Sequence, residues 1–511
     1  MKNAGRLKNS ANNFLAGIIN KMVSIILSFA IRTVFILFLS KDYLSVNGLY
    51  SGILTMLSFA ELGFGTAITY SMYKPLAEKN ISKLRQLIRL YKRVYFVVGA
   101  VILALGLSLI PFMDLIIKNK PDIQGLTFYY LIFLLNTVFS YWFFAYRTAV
   151  FNADQRSSVI SHYQSLFNIV KTILQILCLV LFRNYTLYLL IQIGCTIGQS
   201  ICLSVKAGRE YPIFRSGDKD DLPAEEKRQI FKDTKALMLR KISFSVLYSS
   251  DTIIISSMIG VQWVGLLSNY VMIEDTITGI LTRLNHAISA SLGNYFAIEN
   301  KDNSYKLFQR VEFLNYWLYS FCSVAMITLI NPFIQLWIGQ EFLLSFSIVT
   351  ALTIRFFTAG YMNTMGTFRT TMGLFVHGQF VPVITSVANI LLSVVMGKYL
   401  GVAGVLFATS LTRLCMDMWY TPVIIYKYGF KQDVSKFFFD YLFRLLLLIA
   451  VSAGMILISR AILTEQVTIQ QFILLAVLTL VLPNAVFILV LHKRAEFKEL
   501  VSVGKKLLKK T

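Results

Sequence analysis

Residues 94–117 read VYFVVGAVILALGLSLIPFMDLII, and a single one of them, Asp114, is charged. A run of about 18 or more apolar residues is long enough to cross a bilayer as a helix. No water is available there, so each segment must satisfy its own backbone groups, and a helix does this. Directly before the run, residues 74–93 carry seven Lys or Arg and one Glu. An apolar run set against a basic loop marks a helix entering from the cytoplasmic side. The same pattern continues in both directions. Apolar stretches at 14–39, 44–70, 94–117, 125–146, 159–182, 186–205 and 236–260 are followed by others at 264–292, 313–337, 344–368, 378–399, 402–426, 438–460 and 469–492. They predict an all-α polytopic membrane protein with about fourteen transmembrane helices.

Composition agrees. Of 511 residues 56% are hydrophobic and 15% charged, with a mean hydropathy of +0.63, against about 25% charged in an ordinary soluble domain. The five cysteines lie in apolar segments with no metal-ligand spacing, so neither a metal site nor a disulfide framework is expected. Lys2, Arg6 and Lys8 precede an apolar run that reaches Leu39. That run is too long for a signal peptide and is read as the first transmembrane helix.

The net charge of +23 raises the question of nucleic acid, and its distribution answers it. With both termini cytoplasmic, inner loops and tails hold about 36 of the 49 basic residues and outer loops about 6. The 206–241 loop carries ten and the 493–510 tail seven. The charge is a topology signal and an attraction to anionic lipid. No nucleic-acid partner is expected. Ile81, Leu84, Leu87, Ile88 and Tyr91 follow helical spacing among Lys83, Arg85 and Arg89. The tail repeats this with Phe497, Leu500, Val501, Leu507 and Leu508, and both read as interfacial helices.

The chain also resembles itself at a spacing near 220 residues. Val46–Tyr50 matches Val264–Tyr270, Tyr146–Thr148 matches Phe368–Thr370, and Phe167–Ile169 matches Ala388–Ile390. Six helices separate the copies, so they share one orientation. This predicts two six-helix lobes related by a pseudo-two-fold axis along the membrane normal, with a site between them, plus two C-terminal helices. The expected segments are 1–205 (first lobe), 206–235 (cytoplasmic linker), 236–430 (second lobe) and 431–511 (last two helices and basic tail).

Ionisable residues in mid-bilayer cost at least about 2.5–3.5 kcal/mol each and face a cavity or a partner. Lys21, Arg32, Lys171, Arg283 and Arg355 are candidate cavity cations for substrate binding. Glu61, Asp251, Glu274 and Asp275 are candidate cavity acids that could couple transport to H+ or Na+; a structural pair with Glu61, Asp251 or Asp275 is the alternative to a cavity role for Lys171, Arg283 and Arg355. Arg413 and Asp417, four apart, are expected to neutralise each other, and Arg444 to snorkel from its helix end. The cationic surplus suits phosphate, since arginine offers it a bidentate fork. There is no G-x-x-x-x-G-K-[ST] loop and no H-E-x-x-H. The chain therefore reads as a non-enzyme without cofactor or catalytic residues.

Arg32–Phe35, Gly48–Tyr50, Glu61–Gly65, Lys74–Leu76, Tyr146–Thr148 through Gln155–Arg156, and Asp251–Ile255 together resemble the bacterial polysaccharide-repeat-unit flippases often called Wzx. These belong to the multidrug/oligosaccharidyl-lipid/polysaccharide exporter superfamily, and the resemblance covers nearly the whole chain. It implies two six-helix lobes around a V-shaped cavity and a place in the bacterial cytoplasmic membrane. The implied activity is alternating-access transfer of undecaprenyl-diphosphate-linked oligosaccharide from inner to outer leaflet, for capsule, exopolysaccharide or O-antigen assembly. Its implied partners are this lipid-linked oligosaccharide, membrane lipids, and the polymerase and glycosyltransferases of the same pathway. A related lipid II flippase and a multidrug/cation antiporter are the alternatives within the superfamily. A membrane glycosyltransferase would need a sizeable outer loop, and the outer loops here are short.

Overall fold

The computed structural model describes the backbone of residues 2–58, 64–143, 145–214, 221–298, 301–374, 377–378 and 380–508. It describes their side chains apart from 2–19, 66, 145, 232–241, 244, 248, 286–298, 301–302, 503–504 and 506–508. Among the described residues the chain is helical, with no strand. It forms two compact units, Met1–Gly265 and Leu266–Thr511. The first holds α1 (Lys2–Phe38), α2 (Lys41–Leu57), α3 (Phe64–Ala77), α4 (Ile81–Ser108), α5 (Met113–Ile116), α6 (Leu126–Trp142), α7 (Ala145–Ala153), α8 (Ser157–Phe182), α9 (Tyr185–Glu210) and α10 (Ala224–Ile254). Then α11 (Val261–Ile298) begins at the boundary. The second unit continues with α12 (Lys301–Ile338), α13 (Phe346–Thr371), α14 (Val381–Cys415), α15 (Asp417–Ile424), α16 (Ser435–Ile462), α17 (Ile469–Leu491) and α18 (Ala495–Leu508).

In their described residues the fourteen expected segments fall largely on helix. The 44–70 segment is α2 and α3, and the expected gap near 400 is a kink at Gly401, whose φ of 59° and ψ of −142° lie outside the helical region. Only glycine enters that region without a Cβ penalty. Among the described residues eight helices are long and apolar enough by themselves to span a membrane, or nine if the bent pair Leu126–Trp142 and Tyr146–Ala153 is one span. Other expected spans are shorter or more polar, as in α13 with Arg355 and Arg369, because packing shields what lipid would reject.

Local chemistry sets the helix ends. The Asn80 side chain accepts from the Lys83 amide to start α4, and Asn184 from Leu187 to start α9. Thr468 and Gln471 close a capping box at the start of α17. The interfacial reading of 81–91 needs correction: these residues are the first turns of the long α4, with Leu84, Leu87, Ile88 and Tyr91 buried. Their basic neighbours hold the linker instead. Lys83 pairs with Glu226, and Arg93 Nη1 lies 2.8 Å from Asp221 Oδ2. The Arg93 hydrogen bond holds the Asp221 carboxyl below its usual range. The tail helix α18 packs on α12, where Phe497 stacks on Trp317 at 5.7 Å and Arg310 pairs with Glu499.

In the first unit α10 packs against α2. A Cβ added at Gly52 would meet Thr252 Cγ2 on α10 at 2.8 Å, and one at Gly265, in the first turns of α11, would overlap Ser45 of α2. Small residues let helix backbones approach, a van der Waals gain that lipid cannot match. So α10, assigned by the repeat to the second lobe, packs within the first compact unit.

The repeat is visible in hydrogen bonds. Tyr50 is fully buried and donates to the Leu126 carbonyl at 3.0 Å, at the start of α6. Tyr270, 220 residues on, is fully buried and accepts from the Leu344 amide at 2.9 Å, just before α13. Each buried hydroxyl thereby ties a helix to its neighbour's N-terminus.

In the second unit α12 is central, with α13, α16, α17 and α18 around it. Asn315 Nδ2 donates to the Gly360 carbonyl at 3.3 Å, and a Cβ at Gly360 would overlap the buried Tyr319 ring. Overpacking a filled core costs about 1–3 kcal/mol. Gly360→Ala is therefore expected to lower the melting temperature in detergent. Gly194→Ala, with nothing within 4 Å of the new Cβ, should be neutral or stabilising by up to about 1 kcal/mol. Equal melting temperatures for the two variants would contradict the packing.

Candidate functional site

The candidate cations fall into two sets. In the first unit, Lys21 and Arg32 are half-buried on α1 and Lys171 half-buried on α8, the helix against which α1 packs. Arg32 is in electrostatic range of Tyr188, and Lys171 of Cys195, both on α9. Asp251 on α10 is 2% exposed. Glu61 lies outside the described residues.

In the second unit, Arg355 is paired. Its Nη2 lies 2.5 Å from Glu274 Oε2, and both side chains are nearly buried. The partner is Glu274, which the sequence reading did not name as a partner for Arg355. Arg413, 2% exposed, donates to the Arg355 carbonyl at 3.4 Å, which joins α14 to the same cluster. Arg283 and Asp275 on α11 are exposed.

Arg444 corrects a second expectation. It does not snorkel; it is 4% exposed, with Nη1 2.6 Å from Glu312 Oε2. Its guanidinium stacks over Phe313 and Tyr316 at 5.3 and 5.5 Å, and Tyr361 donates to the other Glu312 oxygen. Glu312 escaped sequence reading because the apolar run starts at 313. The helix carrying it starts at Lys301, so Glu312 sits three turns inside α12.

The first unit also contains a cavity of about 550 Å³ among α3, α4, α6 and α7. Tyr70, Tyr73, Tyr91, Tyr95 and Tyr141 supply its rings. Thr69, Ser140, Thr148 and Asn152 supply hydroxyls and an amide, and among the described residues no charged side chain is in its lining. Tyr91 and Tyr95 pack at 4.4 Å with the Tyr91 hydroxyl donating to that of Tyr95 at 2.9 Å. Tyr95 meets Tyr141 at 5.7 Å, and Tyr70 meets Tyr73 at 5.9 Å. Tyr91, Tyr95 and Tyr141 are buried, whereas Tyr70 is 75% exposed at the mouth. Sequence reading did not select these residues. The available signal was spacing: Tyr70 with Tyr73, and Tyr91 with Tyr95, share helix faces at i, i+3 and i, i+4.

A helical membrane bundle with buried charge and a polar cavity is a transporter architecture, and solved structures agree on the fold. A lipid II flippase, MurJ, in an inward closed conformation superposes with a TM-score of 0.70 at 14% identity, covering 94% of this chain and 99% of that one. An inward-facing multidrug resistance MATE transporter of the MOP superfamily gives 0.60 at 13% identity, covering 80% and 97%. A Vibrio cholerae MATE transporter, VcmN, gives 0.54 at 11%, covering 82% and 97%. No curated protein matches the chain in sequence. The family model described as polysaccharide biosynthesis protein matches residues 7–290, and the chain belongs to that family. It is a multi-pass membrane protein with the fold of MOP-superfamily transporters.

Proposed function

We propose that the protein flips an undecaprenyl-diphosphate-linked oligosaccharide repeat unit from the inner to the outer leaflet of a bacterial cytoplasmic membrane, by alternating access. The observation that carries this reading is the family match on a chain with a transporter fold. A polysaccharide pathway that assembles its units inside and uses them outside has to move the lipid-carried form. The likeness to a lipid II flippase over 94% of the chain supports it, where the MATE structure spans 80%. Lys21, Arg32 and Lys171, placed in apolar helices, supply the positive charge a diphosphate needs. The glycan follows a polar path while the polyprenyl chain stays in lipid, because burying unpaired hydroxyls costs several kcal/mol. Asp251 and the Glu274–Arg355 pair are the groups through which H+ or Na+ would couple. The termini and the 74–93 and 206–241 loops face the cytoplasm, where the pathway's glycosyltransferases work, and the product leaves to the polymerase.

Purified protein in liposomes is expected to expose an inner-leaflet lipid-linked oligosaccharide to an external lectin without ATP. An absolute ATP requirement would overturn the mechanism. Extrusion of a cationic drug with no lipid-linked sugar movement would favour the antiporter reading, which the MATE likeness supports.

A further inference from the structure

We propose that the tyrosine-lined cavity of the first unit is a saccharide subsite that receives a neutral pyranose ring of the substrate before translocation. This rests on the flippase reading and adds where the sugar is recognised. The cavity's size, about 550 Å³, falls in the range of small-molecule sites, about 300–1,000 Å³. Its lining has the two chemistries a sugar presents. Tyrosine rings offer flat apolar faces with weak C–H contacts to the axial hydrogens of a pyranose. The tyrosine hydroxyls, with Thr69, Ser140, Thr148 and Asn152, offer donors and acceptors that replace the water stripped from sugar hydroxyls. Without that replacement each buried hydroxyl would cost free energy.

The lining also argues against the other parts of the substrate. Among the described residues its lining carries no charged side chain to neutralise a diphosphate. It carries too many polar groups to take a polyprenyl tail, which would leave them unsatisfied. A tyrosine cage can hold a quaternary ammonium instead; the hydroxyl and amide groups among the rings favour a polyol.

Position assigns the step. The lining residues run along α3 from Gly65 to Tyr73, lie in the first half of α4 to its middle at Tyr91 and Tyr95, and continue on the last turn of α6 and on α7. Of these, Tyr73 and Tyr91 sit at the two ends of the 74–93 segment, which the basic bias assigns to the cytoplasm. The glycan is attached to its carrier on that side. The exposed Tyr70 at the mouth is thus the first ring it meets, and Tyr95 and Tyr141 lie deeper.

The test uses full-length protein in detergent and saturation-transfer NMR with glucose, galactose and N-acetylglucosamine as probes. Saturation of pyranose C–H protons is expected for at least one sugar, and Tyr95→Ala should reduce it at least fivefold. Because Tyr95 is buried and truncating it opens the core, Tyr70→Ala at the exposed mouth is measured too and should reduce the signal at least twofold. Tyr399→Ala, at a 78% exposed position on α14, should leave it unchanged. No sugar signal, or a signal indifferent to Tyr70 and Tyr95, overturns the subsite. So does tetraethylammonium binding that these tyrosines control while sugars do not compete. Sugar binding that depends on both tyrosines in a protein that moves no lipid-linked sugar would leave the subsite standing and defeat the flippase reading. Normal flipping by Tyr70→Ala and Tyr95→Ala without sugar binding would do the reverse.

Discussion

Glu312→Ala is expected to destabilise the second unit by about 3–5 kcal/mol, because removing one partner of a buried ion pair leaves the other charge without compensation. Arg444, 4% exposed, would keep its aromatic stacking and lose its carboxylate, and Tyr361 would lose its acceptor. The protein should accumulate poorly and melt well below wild type in detergent. Arg444→Met should be milder than Glu312→Ala, since it removes the cation and keeps the volume over Phe313 and Tyr316. The double variant Glu312→Leu with Arg444→Met should recover most of the loss, as apolar replacement of a buried pair is often neutral or favourable. Normal stability for Glu312→Ala alone, or a double variant worse than either single, would show that the pair does not hold α12 to α16.

Lys171→Ala is expected to lower export of the lipid-linked oligosaccharide at least tenfold while leaving protein level and melting temperature near wild type. Lys171 is half-buried on α8, within the apolar run 159–182. A mid-membrane ammonium costs at least about 2.5–3.5 kcal/mol, so its removal should not weaken the fold. Arg355→Ala should behave differently. It strands Glu274, 2.5 Å away, so both protein level and export should fall. Adding Glu274→Ala should restore the level without restoring export. Complementation of a strain lacking the gene, read with membrane immunoblots, separates the two outcomes. Full export by Lys171→Ala would remove it from the cationic path, and unchanged protein level for Arg355→Ala would make its pair with Glu274 incidental.

Much of the architecture was legible from residues alone. Hydrophobic run length is a one-dimensional property that the bilayer reads directly, so the fourteen helical segments follow from sequence. The repeat was legible too, because recurrence along the chain needs no coordinates, and Tyr50 and Tyr270 each bond the backbone at the start of a neighbouring helix, one as donor and one as acceptor. Sequence also flagged which charges are out of place, since depth in a helix is countable. It could not say what each charge meets. Glu274 is 81 residues from Arg355 and Glu312 is 132 from Arg444, and neither spacing has a periodicity to read. A helix's start is equally hidden where polar turns precede the apolar run, which is why α4 begins at Ile81 and α12 at Lys301. The tyrosine cavity depended most on tertiary structure. Five rings from three helices converge only when α3, α4 and α6 pack, and in sequence each passes for an ordinary membrane aromatic. Run length and charge asymmetry are summed along the chain, so sequence determines class and topology; contacts are made across it, so partners and cavities wait for packing.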